Sequence, residues 1–240
     1  MRSIKFSFFA LIIGLSGCAT FEQAVEVPAP ERPTSEAPKS AEEQVVWLMA
    51  QPDQYLLSRK VMSDSQASTF DKALIALNRG DWIDLENGLK PWLSSPDTPS
   101  AFWVLLGDGR LGQVAETQEE AEKARVLGQA QQYFERALVV NGSNYHAHNR
   151  LGILLRERGQ FSGALSHYTK AINAWPGFAL AYLNRAILRD LYLGEKAAAL
   201  DDYRLYQQLK ATEPGFTESA QARQLTGWIA DLERQLAQEG

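Results

Sequence analysis

The chain has 240 residues, 45% of them hydrophobic and 22% charged, which is enough apolar side chain for a core and excludes a wholly disordered chain. Its formal charge of -5 comes without a run of lysine or arginine, which excludes the basic stripe that phosphate neutralisation needs, so nucleic acid is not expected as a partner. A single cysteine excludes an intramolecular disulfide, and stability has to come from packing.

In chain order, Arg2 and Lys5 precede about ten mostly apolar residues, Phe6 to Leu15, the length of an export-signal core and too short to span a bilayer. Leu15-Ser16-Gly17-Cys18 closes that stretch and resembles the lipobox of bacterial lipoproteins. The resemblance implies a signal peptide over 1–17, diacylglycerol on the Cys18 sulfur, and acylation of the new amine after cleavage. Two or three acyl chains anchor a protein durably where one does not. In enteric bacteria an aspartate after the cysteine implies retention in the inner membrane, so Ala19 implies the outer membrane with the folded part in the periplasm. Loss of Arg2 and Lys5 with the leader takes the formal charge from -5 to -7.

Residues 18–40 form a tether, with Pro28, Pro30, Pro33 and Pro38 among few large apolar side chains. In polyproline geometry some twenty such residues reach up to roughly 60 Å. From Ala41 the pattern is helical. Residues 41–65 predict one or two short amphipathic helices that cap the N-terminal end of the body of the chain.

That body repeats with a period of 34 residues: Ala130 and Ala164, Phe134 and Tyr168, Ala137 and Ala171, Ala147 and Ala181, Gly152 and Ala186. Small residues recur where helices cross closely and an aromatic fills the space beside them, which is a packing rule. Residues 144–177 carry Leu151, Gly152, Gly159, Phe161, Ala164, Tyr168, Ala171 and Pro176 at the spacing of a tetratricopeptide repeat, and the chain resembles that family. The resemblance implies an all-α fold, a solenoid of about four helix-turn-helix repeats (66–99, 100–144, 145–178 and 179–212) with capping helices, the last over 216–238.

Three departures carry expectations of their own. Gly107 and Gly152 lie 45 apart, an excess of eleven, and Thr117 with Glu120 forms a T-x-x-E capping box that starts a long second helix near residue 118. The turn around Leu193-Gly194-Glu195 has one extra residue, and Tyr206 stands where alanine is usual, so that pair should pack less closely. Ala222, Leu225, Ile229, Leu232 and Leu236 recur at steps of three and four, which suits a helix laid on the last repeat; a homodimer seam is the alternative.

Catalytic signals are sparse. The three histidines are His146, His148 and His167; on one helix His146 and His148 stand about 200° apart, so they cannot share a metal. His148 is expected to pack and His167 to face water, and neither metal nor cofactor is expected. Gly107-Asp108-Gly109 sits inside a repeat helix and reads as close packing. Asn141-Gly142-Ser143, though a sequon, reads as a turn.

The family resemblance places partner binding on the first helix of each repeat, at positions that line a concave groove. Carried onto this chain they are His146, Asn149, Ile153 and Arg156, then Leu180, Leu183, Ile187 and Asp190, with Ala101, Val104, Asp108 and Leu111 upstream. Such a groove, largely apolar, suits an amphipathic helix or extended peptide of another envelope protein. The function implied is a membrane-anchored interaction scaffold or assembly factor, similar in plan to pilotins, hydrolase-holding repeat lipoproteins and accessory proteins of envelope motors. The alternative is a peptidoglycan hydrolase or other enzyme.

Overall fold

The computed structural model describes residues 40–58 and 60–239, so Cys18, the leader over 1–17 and the tether as far as residue 39 lie outside the described residues. Among the described residues the regular elements are all helical: α1 (Ala41–Met49), α2 (Gln54–Ser58), α3 (Asp64–Arg79), α4 (Trp82–Leu89), α5 (Ser100–Glu116), α6 (Glu120–Val140), α7 (Tyr145–Glu157), α8 (Phe161–Ala174), α9 (Ala179–Leu188), α10 (Lys196–Ala211) and α11 (Ala220–Glu239). Helices α3 to α10 pair as α3 with α4, α5 with α6, α7 with α8 and α9 with α10, and the pairs stack into an α-solenoid. No helix among the described residues is long and apolar enough to cross a membrane.

The small-residue pattern explains the pairing. Gly107 on α5 lies against the ring of Phe134 on α6, and Gly152 on α7 against Tyr168 on α8; a Cβ at either glycine would overlap the ring. Ala130, Ala137, Ala164, Ala171 and Ala199 have no exposed surface, so the facing helices approach to backbone distance. Phe134 and Tyr168 fill the space beside them, and burying such a ring stabilises by about 2–3 kcal/mol. Chain punctuation is local: Ser63 and Gln66 cap the start of α3 reciprocally, and Gly80 ends it in the left-handed region at φ 74°. Pro91 and Pro96 limit α4 to eight residues and one 3₁₀ turn, Lys90–Trp92.

The eleven extra residues of the second pair are shared. Helix α5 has 17 residues against 13 in α7, and α6 has 21 against 14 in α8, which together account for the excess. The capping box expected at Thr117 does not form: α6 starts at Glu120, and the Thr117 hydroxyl donates back to the Gln113 carbonyl at the end of α5. Trp82 closes the extended end of α5, packing over Gly112 and donating its indole N–H to the Glu116 carboxylate at 3.1 Å.

The extra residue near Gly194 is absorbed by a π turn, Arg189–Leu193, that continues α9. Tyr206 is fully buried rather than a source of looseness, because Phe216 packs edge-on to it and Gln221 on α11 donates to its hydroxyl at 2.7 Å. Helix α11 lies on α10 with Ala222, Leu225, Ile229 and Leu232 buried.

The N-terminal helices do not cap the first repeat as expected. Lys60 pairs with Asp97 before α5, Ser58 donates to Asn141 before α7 at 3.2 Å, the Tyr55 ring meets Tyr145 edge-on at 5.7 Å, and α1 reaches α10. Residues 40–61 therefore form a strap that runs back across the inter-repeat turns, against the direction of the repeats. Val45, Leu48 and Tyr55 enter one apolar cluster with Phe178, Leu183, Tyr206 and Leu225. The largest apolar cluster lies around the last two pairs, and that is where the buried face of the strap finds its partners.

Candidate functional site: the first-helix surface

Helices α5, α7 and α9 carry the residues expected to line the groove; α7 packs against α9, and an ion pair links α5 to α7. Asp108 on α5 accepts from Arg150 on α7 at two points, 2.6 Å from Nε and 3.2 Å from Nη2, which fixes the two helices in register. Asn184 on α9 donates to Asn149 Oδ1 on α7 at 2.9 Å. Arg150 and Asn184 each follow an expected groove residue by one position; what marks them is pairing across 42 and 35 residues, which local spacing does not reveal.

The expected residues divide by accessibility. Asn149 is 1% exposed and Leu183 8%, so both are spent on holding α7, α9 and the strap together. Ile153 packs against the small cluster of Ala164, Tyr168 and Leu188, and Leu180 and Ile187 against the main one, each half-buried. Arg156 is half-buried and donates to Glu157 at 3.0 Å. Asp190 falls in the π turn, accepts weakly from the Tyr203 hydroxyl at 3.4 Å, and burial pushes its carboxyl upward. Upstream, Ala101, Val104, Asp108 and Leu111 are half-buried along α5. Of the expected residues on α7, α9 and the π turn, His146, Ile153, Arg156, Leu180, Ile187 and Asp190 thus keep partial exposure, beside the Asp108–Arg150 pair, and Asn149 and Leu183 do not.

His146 stands at one end of this surface with its ring against Tyr145 at 4.4 Å, Phe178 at 5.2 Å and Tyr55 of the strap at 6.4 Å. Burial, helped by the Arg150 guanidinium, pushes it down to about 4, so it is neutral near pH 7. His148 is buried as expected. His167 does not simply face water: its Nδ1 lies 3.0 Å from His148 Nδ1, while His148 Nε2 lies 3.1 Å from the Gly142 carbonyl. Since the carbonyl can only accept, His148 donates through Nε2 and His167 donates to its Nδ1. Burial pushes His148 to about 4, against the Gly142 hydrogen bond, with His167 and Lys170 adding to the depression; His167 is lowered too, by burial and Lys170 against Glu135. Among the described residues no group of three or more histidine, cysteine, aspartate or glutamate side chains could hold a metal ion.

This architecture defines a class first: a helical-repeat protein built from stacked antiparallel helix pairs. No family model matches the chain. Human tetratricopeptide repeat protein 36 is 33% identical over 145 residues, covering 58% of this chain and 69% of that protein, and the chain belongs to the tetratricopeptide repeat family. Among solved structures, TTC0263, a thermophilic repeat protein of Thermus thermophilus, superposes with a TM-score of 0.56 at 14% identity over 80% of this chain and 90% of that one. A MamA structure (AMB-1) gives a TM-score of 0.50 at 16% identity over 72% and 82%. At these identities the two structures establish the fold alone. Members of the family are in general protein–protein interaction scaffolds.

Proposed function

We propose that this protein is a lipid-anchored scaffold of the bacterial envelope, held at the outer membrane through acyl chains on Cys18, with its repeats in the periplasm gripping a segment of another envelope protein. The observation that carries the reading is the face of α7 and α9 on which Ile153, Arg156, Leu180 and Ile187 keep partial exposure while Asn149 and Leu183 are buried. Apolar side chains at that spacing, beside one cation, suit an amphipathic helix or extended peptide with a carboxylate near its apolar anchors. The leader ending in Leu15-Ser16-Gly17-Cys18 supports the anchor, and the chain's plan suits an assembly factor of pilotin type.

The test places a photocrosslinking residue at Ile153 or Ile187, with Val139, exposed on α6, as the control. Crosslinks to one envelope protein from 153 and 187 and none from 139 are expected; equal yields from all three would overturn the groove. Cys18→Ser should move the protein out of the membrane fraction, and unchanged fractionation would remove the anchor. Turnover of peptidoglycan that disappears in Asp190→Asn would overturn the scaffold reading in favour of a hydrolase.

A further inference from the structure

Six of the twelve large apolar side chains that stand exposed among the described residues fall within sixteen positions of the strap: Val46, Trp47, Met49, Leu56, Leu57 and Val61. The other six are scattered over α3, α4, α6 and the π turn. The strap is two-faced, since Val45, Leu48 and Tyr55 are at most 8% exposed against the repeats while Val46 is 70%, Leu57 72% and Val61 94% exposed. An outward apolar face on a segment already held by its inward face is not a gap in the core; it is a surface with an occupant still to come.

We propose that this occupant is the acyl region of a phospholipid bilayer, which the strap touches while the tether holds the protein to it. The inference rests on the anchor at Cys18 proposed above. Ser40, the N-cap of α1, lies 22 residues beyond Cys18, so the strap is the described element nearest the anchor in sequence. Some twenty tether residues reach up to roughly 60 Å, which keeps the strap at high effective concentration beside the surface, and weak contacts then suffice. Trp47 has the amphipathic ring that favours the headgroup boundary. Cations are few: Arg59 and Lys60 are the only ones in residues 40–61, Lys60 pairs with Asp97, and α1 opens with Glu42 and Glu43. Attraction is therefore apolar and independent of anionic lipid. A second copy of the chain fits less well, because a stable interface engages about 20 residues a side whereas shallow insertion needs only a few large side chains.

The full chain, expressed with its leader and recovered from membranes, is reconstituted into phosphatidylethanolamine–phosphatidylglycerol vesicles with brominated acyl chains, which quench only indoles that reach them. Trp47→Phe, which preserves the fold, should lower the quenched intensity at least about twofold, Leu57→Glu should lower it similarly, and raising salt about tenfold should change nothing. Equal quenching in wild type and Trp47→Phe overturns the proposal. So does a Trp47 untouched by bromolipid but shielded from aqueous acrylamide in proportion to protein concentration, which assigns the face to a second copy. Intact mass of the same sample separates the two readings: an unacylated protein refutes the anchor and leaves the bromolipid result to decide the face, and an acylated one with unquenched Trp47 refutes the face alone.

Discussion

Mild acid should loosen this fold well before its carboxylates titrate. His146 and His148 are each depressed to about 4 in the folded protein against about 6.5 in an unfolded chain. Between those values the unfolded chain takes up protons that the folded one refuses, so the stability these residues contribute is intact above pH 6.5 and is lost as pH falls towards 4. From pH 7 to pH 5 each group accounts for at most about 2 kcal/mol at 1.36 kcal/mol per unit, and the two together for about 2–4 kcal/mol once the partial exposure of His146 is discounted. His167, lowered as well, acts in the same direction; Asp190, whose carboxyl is raised, opposes it. With a urea slope of about 2 kcal/mol per molar, the midpoint should fall by about 1–2 M between pH 7 and pH 5. His148→Gln, which keeps a donor for Gly142, should shrink that difference by about half. A midpoint that stays level from pH 7 to pH 5, or that drops equally in wild type and His148→Gln, would refute the assignment of these rings as buried and neutral.

Alanine at two glycines should give opposite signs in thermal melts. At Gly128 on α6 a Cβ meets open space and helix propensity adds about 1 kcal/mol, whereas at Gly152 the overlap with Tyr168 costs about 1–3 kcal/mol and outweighs the same gain; a shared sign would refute the close approach of α7 and α8. Asp202, 3% exposed and bound by Arg185 at 2.7 and 2.8 Å and by Arg189 at 2.8 Å, should cost about 3 kcal/mol when changed to Ala, measured by chemical denaturation, because Arg185 loses its counter-charge and Arg189 is left with Glu195 alone, 3.3 Å away. Tyr55→Ala should release the strap at a cost of about 2 kcal/mol, read as roughly 30-fold faster hydrogen exchange in α1 and α2 with α7 and α8 unchanged.

Much of the repeat body was legible because its rule is local. Gly107 with Phe134 and Gly152 with Tyr168 obey the same small-against-aromatic packing, and a fixed period exposes it without any knowledge of the fold. Thr117 misled because a side chain with the right spacing for a cap can equally donate back to the preceding turn, and only the paths of α5 and α6 decide between them. The strap was legible as an amphipathic helix and illegible in its destination, since Val45 and Leu48 state that one face is apolar and say nothing of which repeat receives it. On the candidate surface, Ile153, Arg156, Leu180 and Ile187 kept partial exposure, while Asn149 and Leu183 turned inward. Contacts with Asn184 and with the strap join positions far apart in the chain, and periodicity is blind to them.

The strap also has a consequence for the order in which the fold is completed. Ribosomes make it before the repeats, yet its apolar cluster partners on α9, α10 and α11 follow roughly 150 residues later, so it closes a long loop around the repeats. The repeats can form pair by pair from neighbouring contacts, and the strap must wait for all of them. Val45 and Leu48 on α1, whose helix partner is α10, therefore stay uncovered on any chain that stops short of its final repeat, and their burial marks a molecule whose last helices have arrived and docked.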